Sequence, residues 1–260
     1  MGYNKIYITG DCHRDFSRFK ILKDEEDIAV IILGDAGVNW TLDQNDQDFK
    51  HSLQKNYPNI TWYLLRGNHE ARPAALPTIQ TDWDDEVQGY VMYEPEFLNI
   101  RYFLDIGEYT INGHSVLTIG GAYSVDKWYR LERGYRWFSN EQLTEKEMQY
   151  ATNFVKSETY DFVFTHTCPR SWEPTDLFLG GIDQSTVDKS MENWLEGLKD
   201  SFIWDIWLFG HYHADRLERP HVEQLYTVIE DLDDIWDRWH GENEILDWWI
   251  RKSPNYYMED

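Results

Sequence analysis

The chain has 260 residues, 47 acidic against 24 basic, a formal net charge of −23 and a pI near 4.6. With 42% hydrophobic and 16% aromatic residues it is no disordered chain and can bury a sizeable core. Its acidity opposes binding of long nucleic acid and of anionic membranes. Two cysteines, Cys12 and Cys168, exclude a disulfide framework, and no apolar run approaches the roughly 20 residues of a membrane helix, so a cytoplasmic setting is expected.

The first apolar run, residues 5–10, predicts a strand that stops in "GDCH". An amphipathic stretch over about 14–23 predicts a helix, and the run 28–34 a second strand ending in "GD". The segment 42–56 carries acidic residues in its early turns, as a helix start prefers. A third strand, 60–67, runs into "RGNHEARP". Residues 71–99 are acidic, hold Pro73, Pro77 and Pro95, and read as irregular. Strands follow at 114–121, 160–166 and 204–211, with helices over 140–156 and 186–199. Such strand–helix–strand units imply an α/β fold with partly parallel pairing, built as one domain over 1–260. The segment at about 230–260 has ten acidic against three basic residues and Trp236, Trp239, Trp248 and Trp249. It predicts a peripheral helix laying its rings on the body.

The polar residues of interest sit where strands stop: "GDCH" (10–13), "GD" (34–35), "GNHE" (67–70), "THTCP" (165–169) and "GHYH" (210–213). Ligands of open α/β sheets bind outside the carboxyl ends of strands, so these loops are expected to converge. Alternation of side chains puts Asp11 and His13 on one side with Cys12 turned to the core, and His211 and His213 on one side with Tyr212 opposed. Carboxylates and imidazoles from separate strands suit Mn, Fe, Zn or Ni more than Ca. They are too many for one tetrahedral ion and about right for two ions sharing a carboxylate, an arrangement suited to phosphoryl transfer.

In this order the motifs resemble the calcineurin-like metallophosphoesterase family, over residues 11 to 213. The resemblance implies a four-layer α/β/β/α sandwich of two mixed sheets flanked by helices. It implies two divalent metal ions, one held by Asp11, His13 and His213, the other by Asn68, His166 and His211, with Asp35 bridging. It implies hydrolysis of a phosphate monoester by a metal-activated water, with His69 as general acid. Two ions less two carboxylates leave a site of about +2 inside an acidic protein, an attractor for a phosphorylated small molecule, nucleotide or phosphoprotein. "LLRGNHEAR" resembles the third motif of serine/threonine phosphoprotein phosphatases, yet "GDAGVNW" departs from their second. Val38 stands where they carry the Asp that orients the catalytic histidine, with Asn39 beside it as a polar substitute. "HTC" likewise departs from their His-Gly-Gly. The broader bacterial-type group is the better match. Glu70 is expected to support the turn. Arg14, Arg72 and Arg170 each follow a motif and are candidate phosphate contacts. The stretch 124–138 interleaves four basic residues with five aromatics and could stack a nucleoside, which favours an alternative: a phosphodiesterase on nucleotides or nucleic acid. A third alternative is a non-catalytic scaffold on the same fold, which loss of ligands would mark; none is lost.

Overall fold

The computed structural model describes residues 2–241. In chain order the elements are β1 (Lys5–Thr9), β2 (Ile28–Ile32), α1 (Gln44–Asn56), β3 (Ile60–Leu64), β4 (Gln80–Asp84), β5 (Gly89–Tyr93), β6 (Ile100–Phe103), β7 (Ile106–Ile111) and β8 (His114–Ile119). They continue with α2 (Lys127–Arg133), α3 (Glu145–Phe154), β9 (Thr159–Thr165), α4 (Ser190–Leu198), β10 (Ile203–Phe209), β11 (Arg216–Arg219), β12 (Val222–Gln224), β13 (Glu230–Asp231) and α5 (Leu232–His240).

One sheet has the order β13-β1-β2-β3-β6-β5-β4 and the other β11-β12-β10-β9-β8-β7. Each is parallel at its centre and antiparallel at its edges. The central strands read as unbroken apolar runs because both faces are covered; every residue of β2 is buried. Between the sheets, Ile8, Ile31 and Phe103 meet Val116, Phe162 and Ile206. Outside the first sheet, Val30 and Trp62 pack on Phe16, Phe19 and Leu53. Outside the second, Val163 and Trp207 pack with Met148, Met191 and Leu195. The chain is therefore an α/β fold of two mixed sheets flanked by helices, as expected.

Local departures have local causes. The segment expected as a helix over 14–23 is a 3-10 turn, Ser17–Leu22. Buried Phe16, Phe19 and Leu22 fall three residues apart, the repeat of that tighter helix. Residues 71–99 are not wholly irregular: β4 and β5 form an antiparallel hairpin at a sheet edge. The outermost strand, "QTDWD", is exposed and charged, so it shows no apolar alternation and is protected against edge pairing. The helix over 140–156 starts at a capping box, Thr144 with Glu147, and the one over 42–56 is capped by Asp43. The stretch 124–138 contains α2. At the acidic end, α5 lays Trp236 and Trp239 on the inner cluster; Trp248 and Trp249 lie outside the described residues. Among the described residues no helix is long and apolar enough to cross a membrane.

Arg66, at the end of the third strand run, fastens the two sheets. Its Nε donates to Asp105 at 2.6 Å, Nη1 donates to the Glu141 carbonyl, and Nη2 donates to the Gly120 carbonyl at 3.3 Å. The Arg66 carbonyl accepts the Gly121 N–H at 2.8 Å. The guanidinium is buried, so its removal takes the donor from two carbonyls and leaves Asp105 with Arg72 alone. Arg66→Ala is expected to lower unfolding stability by about 3–5 kcal/mol in urea titration, and Arg66→Lys to recover only part of it.

Candidate metal centre and active site

The loops after β1, β2, β3, β9 and β10 meet at one end of the sandwich. Asp11 Oδ1 accepts the backbone N–H of His211 at 2.9 Å, while Oδ2 faces Nε2 of His213 at 3.1 Å and of His13 at 3.6 Å. Asp35 repeats the pattern. Its Oδ1 accepts the backbone N–H of His69 at 2.8 Å, and Oδ2 faces Nε2 of His166 at 3.6 Å. Each buried carboxylate thus spends one oxygen on a distant backbone donor and turns the other toward imidazoles.

Backbone conformation makes this approach possible. A β-carbon on Gly67 would lie 2.0 Å from Asp35 Oδ1, and one on Gly34 would lie 2.1 Å from His166 Nδ1. His13, Asp35, His211 and His213 adopt positive φ of 45°, 50°, 70° and 54°. Such strain costs roughly 1–3 kcal/mol per residue and gathers at functional sites. Asp11 and His13 do face together, with Cys12 in the outer cluster beside Phe16. Tyr212 places its hydroxyl 3.0 Å from that of Thr167. The sidedness expected of Asp11, Cys12 and His13 is met, through left-handed turns instead of extended chain, whereas Tyr212 lines the same cleft as His211 and His213.

Among the described residues, three sets of possible ligand atoms lie within 4.8 Å of one another: Asp11, His13 and His213; His13, Asp35 and His69; Asp11, Asp35 and His166. His211 joins none of these sets, but its ring centroid is 5.0 Å from that of His166. The Asn68 amide is oriented by Nδ2 donating to Ser124 Oγ at 2.9 Å, and Ser124 in turn donates to Glu141. Asn68 Oδ1 is thereby turned inward, 2.9 Å from His166 Nε2.

His166 also meets the Leu33 carbonyl with Nδ1 at 2.7 Å. Both of its neighbours are acceptors, so both ring nitrogens carry hydrogen. Burial alone would neutralise the ring, but Asp35 and Asp11 override it and hold His166 up at about 9. Against the same burial, His166 keeps Asp11 well below the usual carboxylate range, and His69 with His166 does so for Asp35. Burial and the charge on His166 push His211 down to about 3. Glu70 accepts the N–H groups of Gly37 and Gly67 and thus supports the turn; burial and the nearby Asp35 raise it to about 7. Two anionic carboxylates, an inward amide oxygen and several imidazoles form a donor set that fits divalent transition ions, with the ions taking the place of protons.

His69 stands at the edge of the cluster, its ring 5.3 Å from His13 and 5.6 Å from Trp40. Its Nδ1 is 2.7 Å from Nη2 of Arg130, and its Nε2 is 3.8 Å from Asp126. Burial lowers its pKa, Asp35 opposes this, and Arg130 adds to the lowering. Asn39 does not serve as the missing partner of this histidine: its amide donates to Tyr102 and its oxygen accepts from Lys50. Arg130 and Asp126 are the neighbours that motif reading missed, and the basic-aromatic stretch 124–138 was the signal for them. Glu141, outside that stretch, carried no such mark.

The candidate phosphate contacts separate. Arg14 pairs with Asp46 at 2.6 Å but lies on an open hollow shared with His13, Trp40, His69 and Arg130. Arg72 is ion-paired to Asp105 and Glu147, and Arg170 to Glu173; neither lines a hollow beside His69.

A family model described as calcineurin-like phosphoesterase matches residues 4–215, a span that includes every candidate ligand and His69. The chain belongs to this family. No curated protein sequence matches it significantly. Among solved structures, the phosphopantetheinyl hydrolase of Mycobacterium tuberculosis is similar at 11% identity, with 92% of this chain and 93% of that one covered and a TM-score of 0.37. A likeness that loose carries no inference about substrate.

In this calcineurin-like phosphoesterase an incoming ion competes with protons. His13 and His166 are both raised in the metal-free state, so their protonated forms dominate below the raised values and must discharge before they can ligate. Metal affinity is therefore expected to rise with pH, by about tenfold per unit for each proton displaced, and to level off near pH 9. Calorimetric titration with Mn in buffers of different ionisation enthalpy should record net proton release.

Proposed function

We propose that the chain hydrolyses phosphate monoesters with two divalent ions, one held by Asp11, His13 and His213 and the other by Asn68, His166 and His211, bridged by Asp35. The observation that carries this reading is the pair of buried carboxylates, each turning one oxygen toward imidazoles from other strands, with His69 alongside. Ions bound there would supply charge for the phosphate and lower the pKa of a water.

The chain's own groups do the rest. The backbone N–H groups of His211 and His69 fix one oxygen of each carboxylate, leaving the other oriented without conformational freedom. Ser124 and Glu141 set the amide of Asn68. Arg130 cannot accept a hydrogen bond, and its Nη2 lies nearer Nδ1 of His69, at 2.7 Å, than Nε2, at 3.3 Å; we therefore take Nδ1 as the acceptor and place the hydrogen on Nε2. In this state His69 offers Nε2–H to the leaving-group oxygen. Transfer of the proton requires a second hydrogen on Nδ1, and hence release of Arg130. His69→Ala is expected to lower turnover more for poor leaving groups than for good ones, measured across a series of aryl phosphates; equal losses would remove the proton-donor role.

Asp35→Asn is expected to lose at least about a hundredfold in kcat on p-nitrophenyl phosphate and to bind less metal by elemental analysis. Intact activity at full metal content would sink the two-ion reading. The second reading, a nucleotide diesterase, draws on the exposed rings of Trp128, Tyr129 and Tyr135 around α2. Comparing p-nitrophenyl with bis-p-nitrophenyl phosphate under Mn separates the two; preference for the bis ester would favour the diesterase.

A further inference from the structure

We infer that the preferred substrate is a phosphate monoester of an apolar alcohol, aryl or branched alkyl, whose leaving group sits in a cleft between residues 177–187 and the Tyr123–Val125 segment. The inference rests on the phosphoesterase reading and adds what the alcohol is.

The connection from β9 to α4 lies over one side of the cluster and is pinned near its ends. Buried Glu173 pairs with Arg170 and Lys189, and Asp176 accepts two hydrogen bonds from Arg216. Between these pins come Leu177, Phe178, Leu179, Ile182 and Val187, and none of them joins the three apolar clusters of the fold. They line a cavity of about 210 Å³, with Tyr123 and Val125 opposite and Asn68, His69 and His211 at the cluster side. Leu179 remains 62% exposed. A single exposed leucine is ordinary, but five apolar side chains turned onto one hollow beside reactive groups mark a binding surface.

The polar lining narrows the class. Lys189 is paired to Glu173, so the cleft offers no unpaired cation for a second phosphate or a carboxylate. Gln184 Oε1 and Glu192 Oε2 are buried acceptors without partners, room for a donor on an otherwise apolar group. In size the cleft exceeds the roughly 150 Å³ that admits benzene in an engineered cavity and falls below the roughly 300 Å³ where sites for whole drug-sized ligands begin. It therefore suits a leaving group of one or two rings. The other hollow lined by His69 carries more charge, with Arg14 and Arg130 in its lining, each ion-paired as Lys189 is, to Asp46 and Asp126. His69 thus lines both, and an apolar alcohol belongs in the cleft that carries the five aliphatic and aromatic side chains of 177–187.

The test compares 1-naphthyl phosphate with 4-carboxyphenyl phosphate on the Mn-loaded full chain, since the two leaving groups are of similar acidity. A kcat/KM ratio of at least about tenfold in favour of the naphthyl ester is expected, and Ile182→Ser and Leu179→Ser should each lower that ratio several-fold. Thermal melts confirm that the variants fold. Calorimetry with naphthylmethylphosphonate against methylphosphonate should show the same preference, weakened in Ile182→Ser. A wild-type ratio near one, or a ratio unmoved by both substitutions, overturns the inference. If neither ester is hydrolysed, the phosphoesterase reading fails by itself and the calorimetry still decides: preference for the naphthyl phosphonate supports the apolar cleft, and equal binding overturns it.

Discussion

The division of labour within two buried carboxylates, Asp11 and Asp35, is the constraint on which the site depends. A carboxylate this deep is costly unless its charge is met, and here it is met from two directions. Backbone donors from His211 and His69 take one oxygen of each; imidazoles take the other. Because the donors and the imidazoles come from strands of both sheets, neither sheet can shift without unmeeting a charge. The left-handed residues and the glycines at 34 and 67 follow from the same demand, since an extended chain would not bring these groups so close.

Much of this was legible in the sequence, for a physical reason. Central parallel strands announce themselves as apolar runs, and a site at their carboxyl ends places its polar residues directly after those runs, as at Asp11, Asp35, Asn68 and His166. Edge strands such as β4 carry no such signature, because exposure and charge suit an edge better than alternation does. The 3-10 turn at Ser17–Leu22 has an amphipathic stretch like a helix and differs only in the three-residue spacing of its buried side chains.

The surroundings of His69 were harder to read. Sequence comparison with the phosphatase motif pointed to position 38 or 39 for its partner, whereas Asn39 is committed to Tyr102 and Lys50. The neighbours that meet the ring, Arg130 and Asp126, sit at and beside a short helix some sixty positions away. A basic neighbour at 2.7 Å, with the acidic one farther off at 3.8 Å, changes which protonated form of the imidazole is favoured. Nothing in the local motif encodes that, because it depends on where a distant loop packs.

The hydrogen bonds at Asp11 join residues 200 and 202 positions apart in the chain. Contacts that distant must close a long loop before they return any stabilisation, which slows folding. The ligand set therefore exists only once both sheets are docked. An ion that prefers this geometry would act as a staple between the sheets, raising the cost of global opening, and would have nothing comparable to bind in a half-folded chain. Metal loading would then be a late step of maturation, and a readout of complete folding.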